Sequence, residues 1–421
     1  MSTSPSSPGS PADPLAQPLT LPCGHVLPNR IGKSAMSEAL GTVDNRVTPR
    51  LGTLYERWSR GGLGLAITGN VMVDRRSLGE PHNVALEDER DLDGFREWAR
   101  KGTSAGTSLF MQLNHPGKQA PKGLNKETVS PSAVPFDPSM SAFFATPREL
   151  TVAEIEDIVA RFGRAAGLAK QAGFSGVQIH GAHGYLVSQF LSPHHNRRED
   201  EWGGTAEKRR RFALEVYRAI RAAVGPSFPV SIKLNSADFQ RGGFTEEESL
   251  ATIVALAEAG MDLVEISGGT YEAPAMTGTT SKKASTAARE AYFLDFAEKV
   301  RAAVDVPLMV TGGFRSGPAM RAALESGAMD VVGLARLVAI EPDVAARLLR
   351  GEEPQQTVRP ITTGIRAVDR MALMEVAWYS RQLRRLGSGR EPKPNESGLV
   401  AFLGNTLDGG WKTMTTRLRA S

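Results

Sequence analysis

The stretch TVAEIEDIVARFGRAAGLAKQAGFSGVQIHGA, residues 151–182, carries one complete helix–turn–strand unit. From Thr151 to Gly173 the apolar residues recur at helical spacing, so one stripe faces a core. Thr151 followed by Glu154 has the spacing of a capping box, and Gly173 stands where a helix ends on a left-handed glycine. The run from Gly176 to Ala182 then reads as a short buried strand.

Working outward, the same alternation recurs eight times. The strands predicted are Asn29 to Met36, Leu63 to Val71, Thr107 to Asn114, Gly176 to Ala182, Pro229 to Asn235, Asp262 to Gly269, Pro307 to Gly313 and Asp330 to Leu337. Amphipathic stretches separate them, including Ala206 to Gly225, Thr245 to Gly260, Ala287 to Val304 and Ser316 to Gly327, and Glu341 to Gly351 closes the eighth cycle. At about 40 residues per cycle the pattern predicts an α/β fold, a single (β/α)8 TIM barrel with a long loop after strand three and a C-terminal helical extension. An open doubly wound sheet would want a Gly-x-Gly-x-x-Gly turn after its first strand, and Ser34-Ala35-Met36-Ser37 offers none.

The barrel is expected over residues 21–351. Residues 1–20, Ser/Pro-rich at the start, are expected to be disordered. Residues 352–421 form an extension, with a helix from Ile361 to Leu386 holding Trp378 and Tyr379 and a linker-like Arg390 to Ser397, packing on its own barrel or on a neighbouring subunit of a homodimer. Pro121 to Leu150 is long enough to be a lid over the barrel mouth or a meandering surface loop.

Composition narrows the chemistry. Of 421 residues, 50 are Lys or Arg and 46 Asp or Glu, and the resulting charge of +4 is spread without a basic block, so no nucleic-acid partner is indicated. Cys23 is the single cysteine, which excludes an intrachain disulfide, a Cys-x-x-Cys zinc site and a Cys-ligated iron–sulfur cluster. The N-terminus lacks a basic start and an apolar run, and no apolar segment approaches the roughly 18 residues that span a bilayer. A cytoplasmic protein without a membrane partner is expected.

Barrel enzymes build their sites at the C-terminal ends of the strands. Here those ends carry Ser37, Gly69 and Asn70, Gln112, His180, His183 and Tyr185, Lys233, Gly268 and Gly269, Gly312 and Gly313, and Arg336. Paired glycines after the seventh strand, with Gly333 to Arg336 after the eighth, suit a phosphate because backbone N–H groups can approach it closely. Lys233 alternates with apolar neighbours and points into the barrel, where an unpaired ammonium is costly. A charged Lys233 would stabilise negative charge on a reduced cofactor ring, a neutral one would form a Schiff base as in barrel aldolases, and a bland Lys233 would pair with a core carboxylate such as Glu265. His180 and His183 would need further ligands to hold a metal, Asp200 being the nearest candidate. As hydrogen-bond donors to a substrate oxygen, with Tyr185 as proton donor, they need none.

The run His180-Gly-Ala-His-Gly-Tyr185, continuing Leu-Val-Ser-Gln-Phe-Leu-Ser-Pro193, with Asn196-Arg197, Asp200, Trp202-Gly203-Gly204 and Arg209 to Phe212, resembles the signature of the Old Yellow Enzyme family of FMN-dependent NAD(P)H oxidoreductases. Asn29-Arg30-Ile31, Gln112 in Met-Gln-Leu-Asn-His-Pro-Gly, and Thr311-Gly312-Gly313 with Arg336 extend the resemblance over about Leu21 to Gly351. It implies FMN at the barrel mouth, contacted by Ser34, Ala35, Met36, Ser37, Gly69, Gln112 and His180, with Lys233 near the ring's N1 and Gly312, Gly313, Ala335 and Arg336 at the phosphate. It also implies NADPH or NADH as reductant and an activated alkene as substrate, its oxygen gripped by His180 and His183. Hydride would then come from reduced FMN N5 and a proton from Tyr185. Phe143 and Phe144 in the long loop are candidates for substrate contact, or pack the loop to the barrel.

Against the commoner family pattern, Ala35 stands for Pro, Ser37 for Thr or Cys, Lys233 for Arg, Ala335 for Gly, and Ala39 for a substrate-contacting Tyr. With one cysteine and no length for further nucleotide-binding domains, the chain resembles the stand-alone, cluster-free ene-reductases of the family better than its cluster-bearing members. The competing readings are a Schiff-base lyase or aldolase using Lys233 and a flavin-binding barrel without turnover; retention of the His180, His183, Tyr185 trio argues against the latter.

Overall fold

A computed structural model describes residues 13–268, 293–363, 373–401 and 404. Its centre is a closed parallel barrel of eight strands: β1 Ile31–Lys33, β2 Leu65–Ile67, β3 Ser108–Asn114, β4 Gly176–Gly181, β5 Val230–Asn235, β6 Leu263–Ser267, β7 Leu308–Thr311 and β8 Val331–Leu334. Each strand pairs with the next in sequence, and β8 returns to β1 through Val332 opposite Ile31, so no edge is left. All eight lie inside the predicted runs.

The helices alternate with the strands: α1 Pro49–Arg60, α2 Leu92–Gly102, α3 Val152–Gln171, α4 Leu186–Leu191, α5 Ala206–Val224, α6 Glu246–Glu258, α7 Leu294–Arg301, α8 Gly317–Glu325, α9 Arg336–Ile340, α10 Val344–Leu349 and α11 Leu373–Gly387. The capping boxes at Thr151/Glu154 and Thr245/Glu248 are both formed, each satisfying two otherwise orphaned N–H groups. Buried residues of α3 and α5, among them Phe162, Ala166, Phe212 and Val216, join the outward-facing strand residues Ile179, Ile232 and Val310 in the main core.

A smaller core fills the barrel interior with Leu65, Ile67, Phe110, Leu263, Met309 and Val331. A hairpin of Leu19–Thr20 and Val26–Leu27 closes its N-terminal end, contributing Leu19, Leu21 and Leu27 to the same cluster. Water is thereby kept from the bottom of the barrel, and the open end is the one that carries the chemistry.

Several expectations need correction. Order begins before residue 20: Leu15 is fully buried and Asp13 pairs with Arg321 at 2.9 Å; residues 1–12 lie outside the described residues. The second strand breaks at Thr68–Asn70 and resumes as Val71–Met72, again beside β3. The helix expected over Glu341 to Gly351 begins only at Val344 (α10), and a separate short helix, α9, starts at Arg336 inside the run expected as strand; Pro342 keeps the preceding Glu341 out of helical geometry between the two. Of the helix expected from Ile361, residues 361–363 are not helical and 364–372 lie outside the described residues, as do Gly269 and the start of the stretch from Ala287. α11 packs on α1, with Arg50 of α1 donating to the Arg384 carbonyl at 3.0 Å and the Ser388 hydroxyl at 2.8 Å.

Candidate active site

The C-terminal ends of the strands surround a cavity of about 310 Å³. Its wall brings together Ser34 to Ser37 after β1, Gln112 on β3, His180, His183 and Tyr185 around the end of β4, Lys233 on β5, Gly312 and Gly313 after β7, and Ala335 and Arg336 after β8. Sequence alternation accounts for this: Lys233 shares the inward face of β5 with Ser231, while Ile232 and Leu234 face the helices.

Lys233 lies beside its register partner Glu265 of β6, with 3.0 Å between Nζ and Oε1, and donates to Ser34 Oγ at 2.9 Å. Glu265 is fully buried, and its oxygens also accept from Ser34 Oγ at 2.5 Å, Thr311 Oγ1 at 2.7 Å and Gln178 Nε2 at 2.8 Å. Burial pushes the Glu265 carboxyl up, but Lys233 and these three donors hold it below the usual carboxylate range. Gln178 Oε1 in turn accepts from Gln112 Nε2 at 2.8 Å, so Gln112 and Lys233 belong to one hydrogen-bonded floor. An ammonium held this way is a poor amine nucleophile, which opposes the Schiff-base reading.

The turn after β4 is built on left-handed backbone: His183 has φ 61° and Gly184 φ 78°. A non-glycine residue there is strained, and the surroundings enforce it: the His183 N–H donates to Asn235 Oδ1 at 3.2 Å and its Nε2 pairs with Ser267 Oγ at 2.9 Å. The His180 ring centroid lies 5.4 Å from that of His183 and 4.6 Å from that of Tyr185. Burial first, and then the Lys233 ammonium, hold both histidines well below the ordinary imidazole range, so both are neutral at pH 7.

The rest of the signature run is scaffolding. Gln189 of α4 donates to the Gly184 and Pro116 carbonyls at 2.7 and 3.1 Å and accepts from Ser130 Oγ at 3.2 Å, fixing the turn after β4 to the loop after β3. Asn196 bridges the Phe190 and Trp202 carbonyls, both at 2.8 Å. Asp200 is bound by Arg198 at 2.6 Å.

Three expected residues fall elsewhere. Gly69 does not line the cavity: its N–H donates to Glu38 Oε1 at 2.9 Å, and a Cβ would come within 2.4 Å of the Met36 carbonyl, so glycine is needed for the close approach of two loops. Its neighbour Asn70 takes the wall position. Phe143 is 63% exposed and Phe144 packs on Phe136 at 4.5 Å, so the loop that holds them is fastened to itself and neither ring reaches the cavity. Ser267, Arg315, Glu375 and Tyr379 also line it, and no local sequence pattern marks them for that wall.

The residues present fit an FMN. Ser37 Oγ and Asn70 Oδ1 are buried on this wall without a partner among the described residues, as suits the edge of a heteroaromatic ring bearing N–H and oxygen groups. At the other end Gly312 and Gly313, with φ of 131° and 100°, form a tight turn beside Arg336, suited to a phosphate.

The description NADH:flavin oxidoreductase / NADH oxidase family matches residues 14–355. The NADH-dependent flavin oxidoreductase iliE of Hypocrea jecorina is 39% identical over 348 residues, 77% of this chain and 86% of its own. The NADH-dependent flavin oxidoreductase iccE of Talaromyces variabilis is 38% identical over 411 residues, 88% of this chain and 98% of its own. Among solved structures, morphinone reductase in complex with tetrahydroNAD is similar at TM-score 0.67 and 25% identity, over 81% of this chain and 91% of its own. Among the described residues no helix is long and apolar enough to cross a membrane. With the barrel, the cavity and these likenesses together, the chain belongs to the NADH:flavin oxidoreductase / NADH oxidase family, that of the Old Yellow Enzymes, and is an FMN-dependent oxidoreductase drawing on a nicotinamide reductant.

Proposed function

We propose that the protein reduces activated carbon–carbon double bonds, in α,β-unsaturated carbonyl or nitro compounds. The observation that carries this reading is the convergence of neutral His180 and His183 with Tyr185 on one wall of the cavity. A neutral imidazole donates one N–H. The Ala182 N–H donates to His180 Nδ1 at 3.4 Å, which leaves the His180 proton on Nε2. A Ser267 hydroxyl that donates to His183 Nε2 would leave that ring's proton on Nδ1. Two such donors on the substrate oxygen stabilise the charge that develops there and make the β-carbon electrophilic.

When bound, FMN supplies the hydride for that carbon after taking it from NADH or NADPH. Tyr185 gives its hydroxyl proton to the α-carbon and recovers one from solvent, which completes addition of one hydride and one proton across the double bond. Glu265 fixes the Lys233 ammonium at the cavity floor, where it would donate a hydrogen bond to the reduced ring, the carboxylate offsetting part of its charge.

Tyr185→Phe tests the assignment. Rapid mixing should show re-oxidation by cyclohexenone slowed by about 10²- to 10⁴-fold, with flavin reduction by NADH changed only a few-fold. Equal loss in both half-reactions contradicts Tyr185 as proton donor.

A further inference from the structure

The family match ends at residue 355, yet the cavity wall does not. Glu375, Tyr379, Ser380 and Leu383, all on α11, line the same cavity as Gly312, Gly313 and Arg336. α11 is held firmly: Trp378, Leu383 and Leu386 are buried, the Trp378 indole donates to the Glu396 carbonyl at 3.0 Å, and Arg50 ties its last turn to α1. Glu375 is therefore presented by a packed element.

Its carboxylate lies 2.9 Å from Arg336 Nη1, with both side chains about a quarter exposed or less. Arg336 is the cation assigned above to the cofactor phosphate. A guanidinium already paired to a carboxylate offers less charge to a second anion, and a dianionic phosphate beside Glu375 is repelled.

We infer that Glu375 of the C-terminal helix competes with the cofactor phosphate for Arg336 and thereby sets how strongly the site prefers a phosphorylated flavin over its dephosphorylated form. The inference rests on the assignment of the phosphate to Arg336, and the experiment separates the two. Glu375→Gln keeps an oxygen acceptor for Arg336 and removes only the charge. In flavin-fluorescence titrations of the full chain, it should tighten FMN roughly tenfold at low ionic strength, less at high salt, and leave riboflavin unchanged. Unchanged or weaker FMN binding by Glu375→Gln overturns the inference, as does an equal change for FMN and riboflavin, which would mean an effect through packing. Arg336→Ala should weaken FMN and spare riboflavin; loss of both to the same degree, or of neither, removes the phosphate assignment itself.

Discussion

Two lysines sit at the C-terminal ends of barrel strands, and the fold treats them differently. Lys233 on β5 points inward and meets Glu265, its register partner on the next strand, at 3.0 Å. Lys33 on β1 points outward, between the barrel wall and α1, and is fully buried. Its ammonium is held by the carbonyls of Ile67 at 2.6 Å and Ser34 at 3.1 Å and by the Tyr55 hydroxyl at 3.2 Å, over the Tyr55 and Trp58 rings. Glu38 is reached through Tyr55, whose hydroxyl donates to it. Burial therefore pulls the Lys33 pKa down to about 8, with Glu38 and Glu265 only partly offsetting it. One residue of strand alternation thus decides whether a buried ammonium finds a carboxylate or makes do with dipoles and rings. Ser34 joins the two regions, its hydroxyl on Lys233 and Glu265 and its carbonyl on Lys33.

The largest expected effect comes from breaking the inner pair. Glu265→Gln leaves the Lys233 ammonium buried without its counter-charge, and chemical denaturation at pH 7 should show a loss of about 3–5 kcal/mol. A loss below about 1 kcal/mol would mean that Ser34 and the cavity solvate Lys233 without the carboxylate.

The outer lysine is tested by its pH dependence. Its folded pKa of about 8 lies below the ordinary value of 10.5, so between those values the unfolded chain binds more protons than the folded one. Stability from this group should then rise with pH across that window, by up to about 1.4 kcal/mol per unit. In Lys33→Met the rise should vanish. Parallel stability curves for the two proteins from pH 7 to 10 would contradict a depressed Lys33.

The barrel was legible in the sequence because its strands are short and apolar and several are followed by a punctuated helix, and the spacing of Thr151/Glu154 and Thr245/Glu248 fixed two helix starts to the residue. The cavity wall was legible where strand ends carry unusual polar residues, as at His180, His183, Lys233 and Arg336. Lys33, Tyr55 and Glu38 escaped notice because their partnership depends on how α1 docks on β1, which no local pattern encodes. The contribution of Glu375 depends in the same way on the docking of a helix far along the chain. Whether Phe143 and Phe144 meet the cavity or pack the loop was not legible, because an aromatic pair in a long loop does not encode which way the loop folds.

The central claim, that neutral His180 and His183 with Tyr185 serve alkene reduction on a flavin barrel, is tested most directly by an anaerobic visible spectrum of the purified protein. Flavin absorbance should bleach on addition of NADH or NADPH and return in full when cyclohexenone is added. A spectrum that bleaches but stays bleached with cyclohexenone and with a nitroalkene, yet recovers with oxygen, would contradict the claim.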